Sequence, residues 1–178
     1  MKLLEVVRAE HSSDRSLSTA LAFAKTLGKR AVVASNADGF IGNRIYAAYR
    51  RHAEFLIEDG ATPEEVDNAA TDFGFAMGPL AVGDMSGLDI AWAMRKRQAA
   101  TRDPAARYVD IPDRLCAAGR FGRKVGGGWY DYIDGQLHPS DDVAAIIAQA
   151  RAAKAITPRH FSPDDIQMRL LGAILSEA

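Results

Sequence analysis

Cysteine is almost missing from this 178-residue chain: Cys116 stands alone, which excludes an internal disulfide and a cysteine-based zinc site. The four histidines, His11, His52, His138 and His160, are scattered, and none forms an i, i+4 pair beside a carboxylate, so no metal site is expected. No apolar run approaches the ~20 residues that a bilayer core requires, so no membrane span is expected. A basic excess is absent too. Lysine plus arginine is 22 against 23 aspartates and glutamates, a net charge of −1, which argues against a nucleic-acid partner. Glu5 interrupts the apolar stretch nearest the N-terminus, a poor fit to a secretory leader. With the lone thiol, this points to a cytoplasmic location. Compact catalytic signatures are lacking as well: there is no P-loop, no Gly-x-Ser-x-Gly elbow, and no Gly-x-Gly-x-x-Gly after a strand.

What is present reads as a globular, mostly helical protein. Apolar residues make up 48 % and charged residues 25 %, and alanine, the best helix former, occurs 32 times. Residues 2–8 form a short branched apolar run, Leu3, Leu4, Val6 and Val7, that predicts a buried strand. Residues 30–35 predict a second strand, and Leu17, Ala20, Leu21, Ala24 and Leu27 recur between them at helical spacing, with Gly28 as the stop. This is a strand–helix–strand unit, and two strands make a poor sheet, so it is expected to belong to a larger one.

Helical signals dominate from there on. Asp38 is the expected N-cap of a long helix to Asp59, with Ile41, Ile45, Ala48, His52 and Leu56 on one face. Thr62-Pro63-Glu64-Glu65 is a capping box before a helix showing Val66, Ala69, Ala70 and Phe73. Met77-Gly78-Pro79 turns into a short helix ended by Ser86-Gly87; others are expected over 88–98 and near 113–118. Residues 129–137 with Asp134-Gly135 predict a hairpin, Ser140 starts a further helix, and Ser162-Pro163-Asp164-Asp165 starts the last. Ile41-Gly-Asn-Arg-Ile-Tyr-Ala-Ala and Ile166-Gln-Met-Arg-Leu-Leu-Gly-Ala share one spacing, a short internal echo.

Few residues carry chemistry by pattern. Glu5 is a carboxylate in an apolar strand, costly unless paired or solvated at an edge; Asn43 stands in the first turn of the long helix, where an amide can face a cleft. Each also has a plain structural reading, a water-facing strand residue and part of a helix entry. Gly126-Gly127-Gly128 beside Arg120, Arg123 and Lys124 could cradle an anion, but the preferred reading is a tight loop that lets Trp129 and Tyr130 pack.

Four motifs in order change the weight of these residues. They are Met1-Lys-Leu-Leu-Glu5-Val-Val, Asp38-Gly-Phe-Ile-Gly-Asn43-Arg44, Met77-Gly-Pro with Asp84-x-x-Gly-Leu-Asp89, and Phe121-Gly-x-Lys-x-Gly-x-Gly-Trp-Tyr-x-Tyr132. Together, over residues 1–132, they resemble the L-3-hydroxyacyl-CoA dehydrogenase family of fatty-acid β-oxidation. The resemblance implies oxidation of an L-3-hydroxyacyl-CoA to the 3-ketoacyl-CoA with hydride passing to NAD. It makes Glu5 the carboxylate that orients a histidine base, and Asn43 the amide that binds the acyl substrate beside the reacting oxygen. The histidine, its assisting serine, the Gly-rich turn and every NAD contact of the family have no counterpart here, so NAD binding falls to an N-terminal domain outside this sequence.

The fold so implied is mainly α: a helical domain of the 6-phosphogluconate dehydrogenase C-terminal type, preceded by a strand–helix–strand remnant of a Rossmann sheet. Residues 1–35 are expected to end the NAD-binding domain, 36–138 to form the helical domain, and 139–178 to be a linker and the start of a second helical copy, as in multifunctional members. The chain alone is expected to be inactive. Its partners would be an acyl-CoA substrate and a second copy of itself, by homodimerisation or by self-association through Leu3, Val6, Ile166 and Leu170. An alternative is a stand-alone, non-catalytic helical module that binds acyl-CoA or a partner. The related β-hydroxyacid dehydrogenases use a lysine on the long helix, and no lysine lies between Asp38 and Asp59.

Overall fold

The computed structural model describes residues 2–178; Met1, the first residue of the opening motif, lies outside the described residues. Among the described residues there are eight α-helices and two two-stranded sheets, so the mainly helical expectation holds. The chain divides into two compact units, residues 2–48 with Ile174–Ala178, and Tyr49–Ala173.

In the first unit β1 (Leu3–Arg8) and β2 (Arg30–Ser35) pair in parallel, from Leu3 opposite Arg30 to Arg8 opposite Ser35, with α1 (Asp14–Thr26) as the crossover. Parallel pairing needs such a crossover, and the sequence supplies its caps. Ser13 Oγ accepts from Ser16 N–H at 3.1 Å, and Leu27 closes the helix before Gly28. The sheet stays open: Leu3, Val32 and Val33 are exposed, as are Phe23 and Leu27 of the crossover.

The long helix α2 (Gly42–Asp59) begins four residues later than its expected cap. Asp38 lies in a turn in which Gly39 and Phe40 both take positive φ, 78° and 49°, and Phe40 N–H closes on Ala37 C=O. Two consecutive left-handed residues take the backbone off the helical path, so Asp38 is not the cap.

The second unit is built from the rest of α2, α3 (Pro63–Phe73), α4 (Pro79–Ser86), α5 (Leu88–Gln98), α6 (Ile111–Ala117), a 3₁₀ turn over Arg123–Val125, the hairpin β3 (Asp131–Ile133) and β4 (Gln136–His138), α7 (Asp141–Ala153) and α8 (Pro163–Glu177). The capping box forms as written: Thr62 Oγ1 accepts from Glu65 N–H and Glu65 Oε2 accepts from Thr62 N–H. Leu56, Ile57, Val66, Leu80, Ile111, Leu115, Trp129, Val143, Ile166 and Leu170 are buried as its core.

Several local expectations are corrected. Phe73 is 53 % exposed and is not core. Trp129 and Tyr130 stand before the hairpin, buried, because their amides are taken by a carboxylate described below. Ser140 occupies the start of α7 without a side-chain cap bond. Ile166 and Leu170 are buried within the chain, so they offer no face for self-association; of the other two residues named for it, Leu3 is exposed and Val6 half-buried.

Candidate functional site

The first unit brings the two residues singled out in the sequence to one place. Glu5 lies on β1 opposite Val32, half-buried, and its Oε1 accepts the backbone N–H of Gly42 at 2.6 Å. Gly42 is the first residue of α2, and Asn43 follows it, its side chain exposed. A helix start presents unpaired N–H groups and a partial positive charge, so a carboxylate is the group that suits it. The cost of Glu5 in an apolar strand is thereby met.

A cavity of about 280 Å³ opens beside this turn, lined by Ser35 at the carboxyl end of β2 and by Phe40, Ile41, Arg44 and Glu177. Arg44 Nε pairs with Glu177 Oε1 at 2.5 Å. Ligands of parallel α/β sheets sit outside the carboxyl ends of the strands, which is where this cavity lies. His11 occupies the exposed turn after β1.

The other motif residues form a different kind of site, in the second unit. Asp67 of α3 is buried and accepts the N–H groups of Leu80 and Ala81, both at 2.9 Å, and the hydroxyl of Tyr130 at 3.0 Å. Asp84 of α4 accepts the N–H groups of Trp129 and Tyr130 at 2.9 and 3.1 Å, and the hydroxyl of Tyr132 at 3.3 Å. Burial pushes both carboxyls up to about 6, against the pull of these hydrogen bonds. Gly128 has to be glycine here: a Cβ would stand 2.0 Å from Asp84 Oδ1.

The glycine-rich loop is therefore a packing device. Arg120 donates to the carbonyls of Gly128 and Tyr130 and pairs with Asp131 at 2.6 Å, while Lys124 pairs with Asp89 at 2.6 Å. Two of the three cations offered for an anion are thus engaged by the chain itself. Among the described residues there is no cluster of metal-binding side chains. Cys116 is buried, which raises its thiol to about 11 and keeps it unreactive.

Sequence reasoning missed the buried acids. Asp67 lies among the core residues Val66, Ala69 and Ala70, and a polar residue on a buried stripe was the available signal. Glu54 and Glu58 on α2 are also buried, paired with Arg95 and with Arg107 and Lys154. Arg95 is further fixed by Asp113, Tyr108 and the carbonyl of Val109. These partners come from distant elements, so no spacing announces them.

Comparison with known proteins agrees with the motifs. Residues 39–132 match the model of the 3-hydroxyacyl-CoA dehydrogenase C-terminal domain, and residues 1–37 that of the 3-hydroxyacyl-CoA dehydrogenase NAD binding domain. The peroxisomal bifunctional enzyme of Cavia porcellus is 42 % identical over 192 aligned positions, covering 100 % of this chain and 26 % of that protein. The human peroxisomal bifunctional enzyme is 41 % identical, with 27 % of its length covered. The chain thus spans about a quarter of the length of these relatives. Among solved structures, the dehydrogenase part of multifunctional enzyme 1 from C. elegans superposes with a TM-score of 0.70 at 26 % identity, over 96 % of this chain and 38 % of that one. A (S)-3-hydroxybutyryl-CoA dehydrogenase from Ralstonia eutropha gives 0.61 at 34 % identity, over 75 % of this chain and 48 % of that one. On these grounds the chain belongs to the 3-hydroxyacyl-CoA dehydrogenase family.

Proposed function

We propose that this chain is the substrate-binding part of an NAD-dependent L-3-hydroxyacyl-CoA dehydrogenase of fatty-acid β-oxidation, carried in a longer multifunctional protein. The observation that supports this reading is the meeting of Glu5 and Asn43 at the first turn of α2. Glu5 has a second carboxylate oxygen to offer a histidine from outside this chain, orienting the ring and stabilising the imidazolium as it takes the hydroxyl proton. The amide of Asn43 holds the acyl oxygen, fixing the reacting carbon in place.

NAD supplies the hydride acceptor when bound, and the one turn of this chain that joins a parallel strand to its crossover helix does not suit the diphosphate of that group. The turn between β1 and α1, residues 9–13, reads Ala-Glu-His-Ser-Ser; it lacks the glycines that let a diphosphate approach a helix start. On this reading residues 1–35 close a nucleotide-binding sheet, 36–138 are the helical domain, and 139–178 lead into a second helical copy. Homodimerisation, and a cytoplasmic location against the peroxisomal one in the relatives' names, are further parts of the reading, tested by sedimentation and by cell fractionation.

The purified chain is then expected to give no turnover. NADH consumption with acetoacetyl-CoA checks this, and measurable oxidation overturns the claim of inactivity. In the full-length protein, Glu5→Gln is expected to lower kcat far more than it raises KM, since the charge acts on the imidazolium. An unchanged kcat removes Glu5 from the chemistry.

A further inference from the structure

The helix that carries Asn43 draws one of its first-turn bonds from a distant strand, while Arg44 N–H is taken locally by the Gly39 carbonyl. Asp38, the residue placed by sequence to cap it, is displaced by the left-handed pair Gly39 and Phe40. The first N–H of α2 is taken instead by Glu5, 37 residues away on β1. A charged acceptor at 2.6 Å from a backbone donor is a short, strong hydrogen bond, and here it fixes the position of a single helical turn.

Residue 42 is shaped to admit it. A Cβ on Gly42 would stand 3.2 Å from Glu5 Oε1, closer than ordinary van der Waals contact. Gly42 is the first residue of α2 and is not among the positive-φ glycines, so conformational freedom does not call for glycine at this position. Alanine is the better helix former by about 1 kcal/mol. What glycine contributes here is room for the carboxylate.

We propose that Glu5 is a positioning residue for Asn43: one carboxylate oxygen anchors the first turn of α2 and so sets where the substrate-binding amide stands. The assignment of Asn43 to the substrate rests on the proposed function; the anchor itself does not. A carboxylate that orients the base through one oxygen and the substrate amide through the other couples the two halves of the site. Loss of Glu5 then damages substrate placement as well as proton transfer, and the two losses separate by side-chain chemistry. Glutamine keeps an acceptor for Gly42 N–H but not the charge; alanine keeps neither.

The test is amide hydrogen exchange by NMR on the 178-residue chain and its Glu5→Gln, Glu5→Ala and Gly42→Ala variants, followed by titration with acetoacetyl-CoA. In Glu5→Ala the amide of Gly42 is expected to exchange about tenfold faster or more, while the ladder amides of β1 and β2 keep their protection. Glu5→Gln is expected to restore most of the protection. Gly42→Ala is expected to speed exchange at residue 42 with Glu5 still present, and it stands in if Glu5→Ala does not fold. Equal protection of residue 42 in wild type and Gly42→Ala, or in wild type and a folded Glu5→Ala, overturns the anchor. In the titration, the Asn43 side-chain amide is expected to shift in wild type and in Glu5→Gln, and several-fold less in Glu5→Ala and Gly42→Ala. Equal shifts in all four reject the positioning role while leaving Asn43 as the substrate residue. No Asn43 shift in the wild type rejects the substrate reading, and the exchange data still decide the anchor.

Discussion

Two helices in this molecule begin on a carboxylate borrowed from a distant element, and the two carboxylates are loaded differently. Glu5 reaches from β1 to Gly42 with one hydrogen bond, half-buried, and its other oxygen takes none among the described residues. Asp67 reaches from α3 to the start of α4, buried, with both oxygens occupied by two backbone amides and the Tyr130 hydroxyl. The device is the same, a negative charge on a positive helix end. The difference is capacity. A saturated, buried carboxylate has nothing left to give a substrate and is structural. A half-exposed one with a spare oxygen can hold a helix and still serve a neighbouring reaction.

Removal of a saturated acid is expected to have the largest effect. Asp84 resembles Asp67 in load, with three donors converging on it from Trp129, Tyr130 and Tyr132. Asp84→Ala is expected to destabilise the second unit by roughly 3 kcal/mol or more, because two buried amides lose their acceptor and a void is left. Urea denaturation measures it. A loss below about 1 kcal/mol would show that the network is dispensable.

The same pair of acids sets a pH dependence. Asp67 and Asp84 bind protons more tightly folded than unfolded, since burial raises each from 3.8 to about 6. Between those values the folded chain holds more protons, so these two groups make stability fall as pH rises from about 4 to 6. His52, lowered by burial and by Arg51 and Arg169, acts in the opposite direction near its ordinary value of 6.5. The carboxyls are two and more deeply buried, so these three groups together are expected to remove roughly 1–3 kcal/mol from pH 4 to pH 7. Asp59, Asp110 and Asp131, in which burial is outweighed by cation partners that lower them, act in the opposite direction mainly at and below pH 4, where the unfolded carboxyls titrate. Unfolding free energies at several pH values check the loss, and a rise across the window contradicts it.

How far the sequence reveals these features depends on how far away the partner lies. The capping box at Thr62 and the helix start at Ser162 are legible because both members lie within four residues, and both form, the second also with reciprocal bonds between Ser162 and Asp165. The parallel strand pair was readable from two apolar runs flanking one helical period, and the starts of α3, α4 and α5 from the proline and glycine residues at them. Asp38 misled because a good local cap was cancelled by the backbone of the next two residues. The burial of Asp67, Glu54 and Glu58 was hard to read, since apart from Arg50 beside Glu54 the partners that hold them stand 13 to 96 residues away. Glu5 and Asn43 were found through the motif resemblance; pattern alone offered each a plain structural role.

Two further substitutions act on helix starts alone and have smaller effects. Thr62→Ala removes a local cap and is expected to cost about 1 kcal/mol, a measure of what one legible cap contributes. Glu5→Gln is expected to change the stability of the chain least, by about 0.5 kcal/mol or less. Glutamine still accepts from Gly42 N–H, and a half-exposed charge at a helix start contributes only a few tenths to 1 kcal/mol. Thermal unfolding of the two variants side by side gives the ranking. If Glu5→Gln costs as much as Asp84→Ala, then Glu5 carries a structural load like the buried acids, and a spare oxygen is no guide to function. If it costs little while the full-length enzyme loses kcat, the half-exposed carboxylate is the one reserved for chemistry, and its single hydrogen bond to α2 is what keeps it in place.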